Sequence, residues 1–311
     1  MDLHIVDTSN YIYAGSFSKK VISRGVRESE GEYCANTAPI GGVLFLLKQV
    51  RELTNDDTVV MPVFDRTPEI KRDMYTNAFG DPYGYKGNRP KKNMDVTYQK
   101  EYAEQILRGL GYPVQAVEGY EADDVIYSLV KYYKHDFDHI YVHTRDSDLT
   151  FLVDDTVSIA QVGAQGKVIN MSNYNTVADN TGYCAYNTVH LRKLCTGDSS
   201  DNIPGVGWKW AELIDNCILD KNENRKLGDL DIARKYIKQA IIANPTEPGA
   251  HSVLSTFNII CPLLVPEDEI DDSDMDIDFE KFSYYLGGWV SSLDRWGLEE
   301  QLADYIDNYY E

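Results

Sequence analysis

In the stretch Gly119–Ile126, which reads GYEADDVI, three carboxylates fall within four residues at the start of a predicted helix. Apolar residues recur at helical spacing from Ala122 to Tyr133, which predicts that one face is buried and that Glu121 and Asp124 share another. The helix dipole stabilises a single acid at this position by up to about 1 kcal/mol. Three crowded acids repel one another unless a divalent cation lies between them. From this stretch alone, a metal site and an ordinary helix start are equally open.

Strand and helix patterns alternate on both sides of this stretch. Three apolar or β-branched runs predict strands at Leu3–Asp7, Thr58–Phe64 and His139–Thr144. Helical patterns lie at Gly42–Leu53, Tyr98–Leu110 and Glu121–Tyr133. Because proline cannot donate a ladder hydrogen bond, Pro62 places the second strand at an edge or in irregular pairing. The alternation predicts an α/β protein with a mostly parallel central sheet flanked by helices.

Acidic residues follow each of the three predicted strands. They are Asp7, Asp65, Asp146 and Asp148. Parallel sheets bind ligands at the carboxyl ends of their strands, so these side chains are expected at one edge of the sheet, near Glu121. A single acid after a strand is ordinarily a helix cap or a turn residue. Three strands that all end in acids favour a shared site instead.

A second acidic pair precedes a glycine-rich turn in the stretch Gly197–Gly207, which reads GDSSDNIPGVG. It follows a predicted edge hairpin, Val157–Val162 with Lys167–Asn170, and a helical pattern at Thr188–Cys195. Asp198 and Asp201 are expected to point toward the acidic edge. The glycines predict a tight turn that opens a helix at Trp208–Cys217, with exposed backbone N–H groups suited to a phosphodiester. Without the neighbouring acids, a simple connection between two helices would be the better interpretation.

The composition limits the class of protein. The chain has 311 residues, enough for one large domain or two coupled ones, and five scattered cysteines without a CxxC pair. This pattern predicts reduced thiols and argues against a zinc site. With no apolar run that could span a bilayer and no evident signal peptide, a cytoplasmic protein without membrane attachment is expected. A net charge of −20 argues against nucleic acid as a partner unless basic residues are concentrated in one region.

Six motifs together resemble the structure-specific 5′ nucleases: flap endonucleases, the 5′-nuclease domain of bacterial DNA polymerase I and bacteriophage 5′-3′ exonucleases. In chain order they are VDTSN around Asp7, VFD ending at Asp65, YKGNRP at Tyr85–Pro90, GYEADDVI, TRDSDLTFLV at Thr144–Val153, and GDSSDNIPGVG. The resemblance extends from Met1 to about Cys217. Six motifs in the family's order are highly specific.

The resemblance implies a site with two divalent ions, Mg²⁺ or Mn²⁺. One ion would be held by Asp7, Asp65, Glu121, Asp123 and, in part, Asp124, and the second by Asp146, Asp148, Asp198 and Asp201. Lys86 and Arg89 match catalytic basic residues of a helical arch, and Tyr13 matches an aromatic position on which a base stacks. The turn resembles a helix-hairpin-helix that grips duplex DNA and, in relatives, holds K⁺. Its residues here are Gly205, Val206, Gly207 and Lys209.

The resemblance also accounts for the net charge. Between Arg66 and Lys100, basic residues outnumber acids and alternate with tyrosines, a pattern typical of single-strand binding, although a solvated loop is the alternative. The basic residues are Arg66, Lys71, Arg72, Lys86, Arg89, Lys91, Lys92 and Lys100. Glycine and proline between Gly80 and Pro90 predict a mobile segment that becomes ordered on DNA. The acidic run Glu267–Glu280 is expected to be a solvated loop facing away from DNA, and Phe279–Tyr310 is assigned only to packing.

The implied architecture is a PIN-like 5′-nuclease fold. Residues 1–187 would form the α/β nuclease core, with the arch at 66–100, and residues 188–311 the helix-hairpin-helix and a C-terminal helical region packed on the core. The implied function is a free-standing, phage-type 5′-3′ exonuclease and flap endonuclease that removes primers or flaps in replication. Its substrate would be branched or 5′-ended duplex DNA, with RNA–DNA hybrids left open. The protein is expected to act as a monomer, in the host cytoplasm if a phage encodes it, and no replication-protein partner is identified.

The sequence departs from the family pattern at two places. Thr8 occupies a position where many relatives have glycine, and the turn after Pro204 is shorter than the usual bacterial form.

A catalytically silent DNA-junction-binding protein would keep the fold, but the mutual repulsion of its nine carboxylates would then lower stability without serving catalysis. A PIN-type metal-dependent ribonuclease shares an acidic cleft, but it is not expected to carry the glycine turn or the basic arch.

Overall fold

The computed structural model describes residues 1–16, 41–89, 94–162, 167–170, 172, 188–217 and 230–277. The strands are β1 (Asp2–Asp7), β2 (Thr58–Val63), β3 (Ile140–Thr144), β4 (Val157–Gln161), β5 (Val168–Ile169), β6 (Gly197–Asp198) and β7 (Ile203–Pro204). The α-helices are α1 (Thr8–Ser16), α2 (Gly41–Leu53), α3 (Glu69–Phe79), α4 (Met94–Gly109), α5 (Ala122–Tyr133), α6 (Thr188–Thr196), α7 (Lys209–Asp215), α8 (Leu230–Ala243) and α9 (Val253–Ile260). Two 3₁₀ helices lie at Ser147–Leu152 and Glu267–Glu269. The predicted strands and helices agree with these elements to within a few residues. The helices α1 and α3 were not predicted, and α8 and α9 were expected only as part of a C-terminal helical region.

A five-stranded sheet in the order β2-β1-β3-β4-β5 forms the centre of the molecule. β1 pairs in parallel with β2 and β3, and β3 pairs in parallel with β4. Only β5 runs antiparallel, against β4, as predicted for an edge hairpin. The turn of that hairpin, residues 163–166, lies outside the described residues. Because the parallel strands run in one direction, their carboxyl ends meet at the same edge.

Pro62 explains why β2 lies at the edge of this sheet. In the register of β1 with β2, Pro62 lies opposite Val6. On the other side of β2, the N–H of Gln115 donates to the carbonyl of Pro62 at 2.8 Å, so this edge is covered only by a short irregular segment. A proline has no N–H to donate to a further strand, and the prediction of an edge position is confirmed.

Apolar residues cover both faces of the sheet. Successive residues of a strand point to opposite faces. Leu3 and Ile5 of β1 therefore belong to a core cluster with α5, α6, α7, α8 and α9, whereas Val6 belongs to another cluster with α1, α2 and α4. A third, smaller cluster joins Tyr75 of α3 to Tyr85, Ile203 and Ile259. Packing on both faces explains the nearly continuous apolar runs of the parallel strands.

The acidic run after α9 has mostly solvated side chains, as expected, and its backbone is bound to the core. The N–H of Asp271 donates to Gln115 Oε1 at 3.0 Å, and Gln115 Nε2 donates to the carbonyl of Asp271 at 2.6 Å. Nearby, the N–H of Asp276 donates to the carbonyl of Gly111 at 3.2 Å. Ile270 is buried, while most of the acidic side chains are exposed. The backbone of this run is thus held in place, and only its charges are solvated. Residues 278–311 lie outside the described part of the chain.

Two predictions from the composition, on the cysteines and on membrane-spanning segments, can be compared with the described residues. Cys195, Cys217 and Cys261 are free thiols, as predicted, while Cys34 and Cys184 lie outside the described ranges. Within those ranges, no helix combines the length and the apolar character that crossing a bilayer requires.

Candidate active site

A cavity of about 420 Å³ opens where the parallel strands end. Eight of the nine predicted carboxylates line it: Asp7, Asp65, Glu121, Asp123, Asp146, Asp148, Asp198 and Asp201. They come from the ends of β1, β2 and β3, from the start of α5 and from the loop around β6 and β7. Because these segments are far apart in sequence, the fold itself assembles the acidic cluster.

Asp7 lies at the base of the cavity, at the last position of β1. Thr144 Oγ1 donates to its Oδ2 at 2.9 Å, and Asn10 Nδ2 donates to the same oxygen. Burial and, to a smaller extent, the neighbouring carboxylates of Asp65 and Asp146 outweigh these two hydrogen bonds and raise the pKa of Asp7 to about 7. The protein therefore holds a carboxylate whose negative charge is costly in the absence of a cation.

Asp123 and Asp146 lie near Asp7 in the same cavity. Burial raises the pKa of Asp123 well above its usual range, and the charges of Asp146 and Asp7 add to that rise. The salt bridges of the described residues reach Asp65, Glu121, Asp148, Asp198 and Asp201 on the cavity wall, but not Asp7, Asp123 or Asp146. These three acids therefore form the least compensated part of the cluster.

Glu121, at the N-cap of α5, is held by two lysines and a tyrosine. Lys71 Nζ lies 3.2 Å from Glu121 Oε2, Tyr85 donates its hydroxyl to the same oxygen at 2.8 Å, and Lys86 Nζ contacts Oε1. Burial would raise the pKa of Glu121, but Lys71 and Lys86 outweigh it and hold the pKa at about 2. Glu121 therefore stays ionised over the working pH range.

Lys193 joins the two acidic segments farther along the chain. It contacts Asp148 and lies 2.6 Å from Asp198 Oδ2. Burial and Asp146 raise the pKa of Asp148 despite this lysine, whereas at Asp198 the lysine and Ser200 outweigh burial and lower the pKa. Sequence reasoning missed Lys193. Its position on the last turn of the helix just before Asp198 was the signal that could have found it.

Asp65 connects the cavity to α1 and α4 through contacts with Ser9 and Lys100. Ser9 Oγ donates to Asp65 Oδ2 at 2.6 Å, and Lys100 Nζ lies 3.2 Å from the same oxygen. Partial burial would raise the pKa of Asp65, but Lys100 and Ser9 hold it at about 2. The same ammonium lies 5.7 Å from the centroid of the Tyr13 ring, which is exposed at the cavity mouth. The structure thus places Tyr13 where a base could stack on it.

Asp124 does not join the cluster, contrary to the prediction that it helps to hold a metal. Its side chain is buried beneath the cavity, 2.8 Å from Lys71 Nζ. It accepts hydrogen bonds from the N–H of Leu263 at 2.7 Å and the N–H of Glu121 at 3.0 Å. These partners fill its acceptor sites, so Asp124 fixes the start of α5 and anchors the chain after α9.

Several residues of the basic and aromatic run are buried or paired with acids of the protein itself, which corrects their assignment to single-strand binding. Lys71 is buried between Glu121 and Asp124. Arg66 pairs with Glu104 at 2.7 Å and Glu118 at 2.9 Å. Tyr75 and Tyr85 are buried, whereas Tyr83 is 85% exposed. Lys91 and Lys92 lie outside the described residues.

The glycine turn caps α6, which corrects the expectation that its N–H groups are exposed to bind an anion. The N–H of Val206 donates to the carbonyl of Leu194 at 2.9 Å, and the N–H of Gly207 to that of Cys195 at 3.0 Å. Lys209 is exposed and pairs with Glu212 at 2.8 Å. The helices α6 and α7 are present as predicted, but a segment that contains the short strands β6 and β7 separates them. The helix-hairpin-helix and its contact with duplex DNA both stay predictions.

Gly205 occupies the tightest point of this turn. A Cβ atom there would lie 2.4 Å from the carbonyl oxygen of Cys195 and 2.4 Å from the backbone nitrogen of Gly197. We expect Gly205→Ala to lower the free energy of unfolding by about 3 kcal/mol, since backbone must move to admit the methyl group. Urea denaturation measures this loss.

Gly207→Ala is the matched control. Gly207 has a φ of +92° and nothing within 4 Å of a built Cβ, so only conformational strain of about 1 kcal/mol is expected. Equal losses for the two variants would contradict the assignment of Gly205 to close backbone packing.

The donor set of the cavity fits hard divalent cations. Carboxylate oxygens are the ligands that Mg²⁺ and Mn²⁺ prefer. Within the described ranges, no three His, Cys, Asp or Glu side chains are gathered closely enough to hold an ion as they stand. The ammonium groups of Lys86 and Lys193 instead lie between pairs of these acids. Metal binding would therefore require these lysines to move away from the carboxylates that they now contact.

Residues 2–182 match the sequence profile of a family described as "5′-3′ exonuclease, N-terminal resolvase-like domain". DNA polymerase I of Chloroflexus aurantiacus is 30% identical over 206 residues, which cover 66% of this chain and 20% of that protein. The 5′-3′ exonuclease of Bacillus subtilis is 34% identical over 172 residues, covering 49% of this chain and 57% of that protein. The chain thus spans about a fifth of the first relative and little more than half of the second.

Among solved structures, T5 5′-exonuclease with bound zinc ions aligns with a TM-score of 0.49 at 18% identity, over 84% of this chain and 98% of that one. The catalytic core of Rad2 in complex with DNA substrate aligns with a TM-score of 0.49 at 17% identity, over 91% of this chain and 86% of that one. The family profile is the finding that assigns the chain, because it covers more than half of the 311 residues and every strand of the parallel part of the sheet. The chain belongs to the 5′-3′ exonuclease family.

Proposed function

We propose that this chain is a structure-specific 5′-3′ exonuclease and flap endonuclease that hydrolyses phosphodiesters with the help of divalent metal ions. The observation that carries the proposal is the convergence of eight carboxylates from separate segments in one cavity, with Lys86 and Arg89 on its wall. Membership of the 5′-3′ exonuclease family supports a nuclease function for this site.

The residues that would hold the metal ions fall into two groups. Asp7 and Asp123, whose charges meet no salt bridge of the described residues, would accept one cation together with Asp65 and Glu121. A second ion would be held by Asp146 and, once Lys193 and Lys86 release them, by Asp148, Asp198 and Asp201. When bound, two such Mg²⁺ or Mn²⁺ ions supply Lewis-acid stabilisation of the entering and leaving oxygens of an in-line displacement.

The chain's own residues bind and orient the substrate. Lys86 and Arg89 would offset the negative charge that grows on the scissile phosphate. Tyr13 would stack on the neighbouring base at the cavity mouth, where its ring is exposed. In the direct displacement proposed here, water attacks the phosphorus atom itself, so no nucleophilic side chain takes part.

The remaining parts of the proposal concern substrate, organisation and setting. The substrate would be branched or 5′-ended duplex DNA, and RNA–DNA hybrids are to be assayed beside it. The duplex would bind to α6, the glycine turn and α7, with K⁺ at the turn.

Residues 1–187 would act as the nuclease core, and residues 188–311 as a region packed on it. In support, Trp210 and Phe257 belong to the same apolar cluster as Leu3. The setting would be primer or flap removal during replication, by a monomer in the cytoplasm.

Metal binding should stabilise the fold in a pH-dependent way. The pKa of Asp7 is raised from its ordinary value of 3.8 to about 7, so the folded state binds more protons than the unfolded state between these values. Without metal, the contribution of Asp7 to the free energy of unfolding should therefore fall as the pH rises from about 4 to about 7, and comparison with Asp7→Asn isolates that contribution. At pH 8, Mg²⁺ at a hundredfold excess over its Kd should add about 2.7 kcal/mol, because it binds only the folded chain.

Thermal melts at pH 5 and pH 8, with and without Mg²⁺ or Mn²⁺, measure both effects. We expect a smaller gain at pH 5, where protons compete for Asp7. An unchanged melting temperature at saturating metal and pH 8 would remove the basis for metal ions in this cavity.

The direct test of the proposed activity uses a duplex with a labelled 5′ flap, incubated with the protein and Mg²⁺ and followed by sizing of the products. Cleavage at the flap junction, together with stepwise shortening from a 5′ end, is expected. Binding without cleavage would instead indicate the junction-binding protein. Preferential cleavage of an RNA single strand, with the flap duplex left intact, would indicate the ribonuclease.

A further inference from the structure

Two residues of the described chain other than glycine have a positive φ: Lys86 at 57° and Asn202 at 61°. Side chains disfavour this left-handed region by about 1 kcal/mol or more, asparagine least among them. Such conformations persist only where the surrounding structure holds them, and they cluster at functional sites. Lys86 and Asn202 lie on two different segments that contact each other beside the cavity.

The two segments, residues 81–89 and residues 198–202, are joined by hydrogen bonds around these positions. The N–H of Lys86 donates to the carbonyl of Asp201 at 3.0 Å. Asn202 Nδ2 donates to the carbonyl of Gly84 at 2.9 Å. Tyr75 Oη donates to the carbonyl of Asn202 at 2.8 Å. The predicted mobile segment after Gly80 is thus held against the loop that carries Asp198 and Asp201.

This junction sets the direction of the Lys86 side chain. With its backbone in the left-handed region and its N–H bound to Asp201, Lys86 extends into the cavity, where Nζ contacts Glu121 and lies 3.7 Å from Asp201 Oδ2. A right-handed backbone at Lys86 would aim the side chain elsewhere. The hydrogen bond from Asn202 to Gly84, two residues before Lys86, opposes that change.

We propose that Asn202 is a positioning residue: through the carbonyl of Gly84 it holds the backbone of Lys86 in the conformation that directs the Lys86 side chain into the cavity. This inference rests on the proposed function, in which Lys86 acts on the scissile phosphate. Asparagine suits the position for two separate reasons: it tolerates a positive φ, and its amide donates across the junction. Glycine would keep only the first property, and alanine would keep neither.

The test is a double-mutant cycle measured by single-turnover cleavage of the 5′-flap duplex in Mg²⁺. We expect Asn202→Ala to lower the rate about tenfold, the effect of one lost, partly buried hydrogen bond together with the loss of tolerance for a positive φ, with Asn202→Gly intermediate. DNA affinity measured in Ca²⁺ should change less than about twofold in both variants, because Asn202 acts on the reacting centre and not on duplex binding. In a Lys86→Ala background, Asn202→Ala should have no further effect on the rate.

Asn244→Ala is the matched control. Its amide also donates to a backbone carbonyl, that of Ala240 at 3.0 Å, but it does not line the cavity. We expect this variant to lose some thermal stability and no cleavage rate. If Asn202→Ala does not fold, Asn202→Gly, which fits the backbone, takes its place in the cycle.

The outcomes separate this inference from the proposed function. If Lys86→Ala cleaves at the normal rate, the proposed role of Lys86 is wrong and the positioning role falls with it. If Lys86→Ala is slow and Asn202→Ala multiplies that loss, Lys86 keeps its role and Asn202 acts independently, which overturns the positioning role alone. Equal rates for wild type and Asn202→Ala would also overturn it.

Discussion

Asp7→Asn is expected to lower single-turnover cleavage by at least about a thousandfold, or ~4 kcal/mol in the activation barrier. Asparagine has nearly the same volume as aspartate and can still accept hydrogen bonds from Asn10 and Thr144, which both donate to a single oxygen of Asp7. The substitution therefore removes a charge and leaves the packing unchanged. Cleavage is expected to fail because the base of the cavity loses one of its three carboxylates that meet no salt bridge of the described residues.

The same variant should be at least as stable as the wild type in the absence of metal. Because burial raises the pKa of Asp7 to about 7, ionising this carboxyl at higher pH costs folding free energy, and an uncharged asparagine avoids that cost. The melting temperature of Asp7→Asn should thus exceed that of the wild type at pH 8 without metal, and it should gain less when Mg²⁺ is added. Loss of activity with a gain of stability is not the result of a damaged fold.

Asp57→Asn is the matched control, because Asp57 is exposed just before β2, at the opposite edge of the sheet. It should leave both the cleavage rate and the metal-dependent stabilisation within about twofold of the wild type, as surface substitutions usually do. Near-normal turnover by Asp7→Asn at saturating Mg²⁺ would exclude a metal mechanism centred on this residue.

The positions of the cavity acids could be predicted because they depend on local pattern and simple topology. A carboxylate directly after a parallel strand must lie at the carboxyl edge of the sheet, whichever helices cover its faces. Asp7, Asp65 and Asp146 follow this rule. Pro62 could be placed at an edge for an equally local reason, its missing N–H.

The partners of those acids could not be predicted, because they depend on distant contacts. Whether Asp123 or Asp124 points into the cavity depends on Lys71, on α3, and on the N–H of Leu263, far along the chain. The basic run likewise gave no sign that Lys71 would be buried while Tyr83 would be exposed. Charge counts along a sequence identify a basic region, but packing decides which of its residues remain available to DNA.

The glycine turn shows the same limit at the level of the backbone. Its sequence predicts a tight turn correctly, because Gly205 has no room for a side chain and Gly207 has a positive φ. The direction of its N–H groups is a separate question. Those of Val206 and Gly207 point back to the last carbonyls of α6, which would otherwise lack partners at the helix end.

Lys86→Ala should lower single-turnover cleavage by about a hundredfold, with less than about threefold loss of duplex affinity in Ca²⁺. In the structure, Lys86 Nζ is directed into the acidic cavity, with the side chain 18% exposed, so under the proposed function it would face a phosphate bound in the cavity and not the outer duplex. Its charge is most useful as negative charge grows on that phosphate, and an interaction made mainly in the transition state changes rate more than binding.

The dependence of the cleavage rate on Mg²⁺ concentration distinguishes an effect of Lys86 on the scissile phosphate from an effect of Lys86 on metal binding. Lys86 contacts Glu121 and lies near Asp201, so it competes with a cation for these carboxylates. Its removal should leave metal affinity unchanged or raise it, since Lys71 remains 3.2 Å from Glu121. The rate of Lys86→Ala should therefore stay low at every Mg²⁺ concentration, while Lys86→Arg, which keeps the charge, should recover part of it. Full recovery of the alanine variant by excess Mg²⁺ would show that Lys86 serves the metal site and not the phosphate.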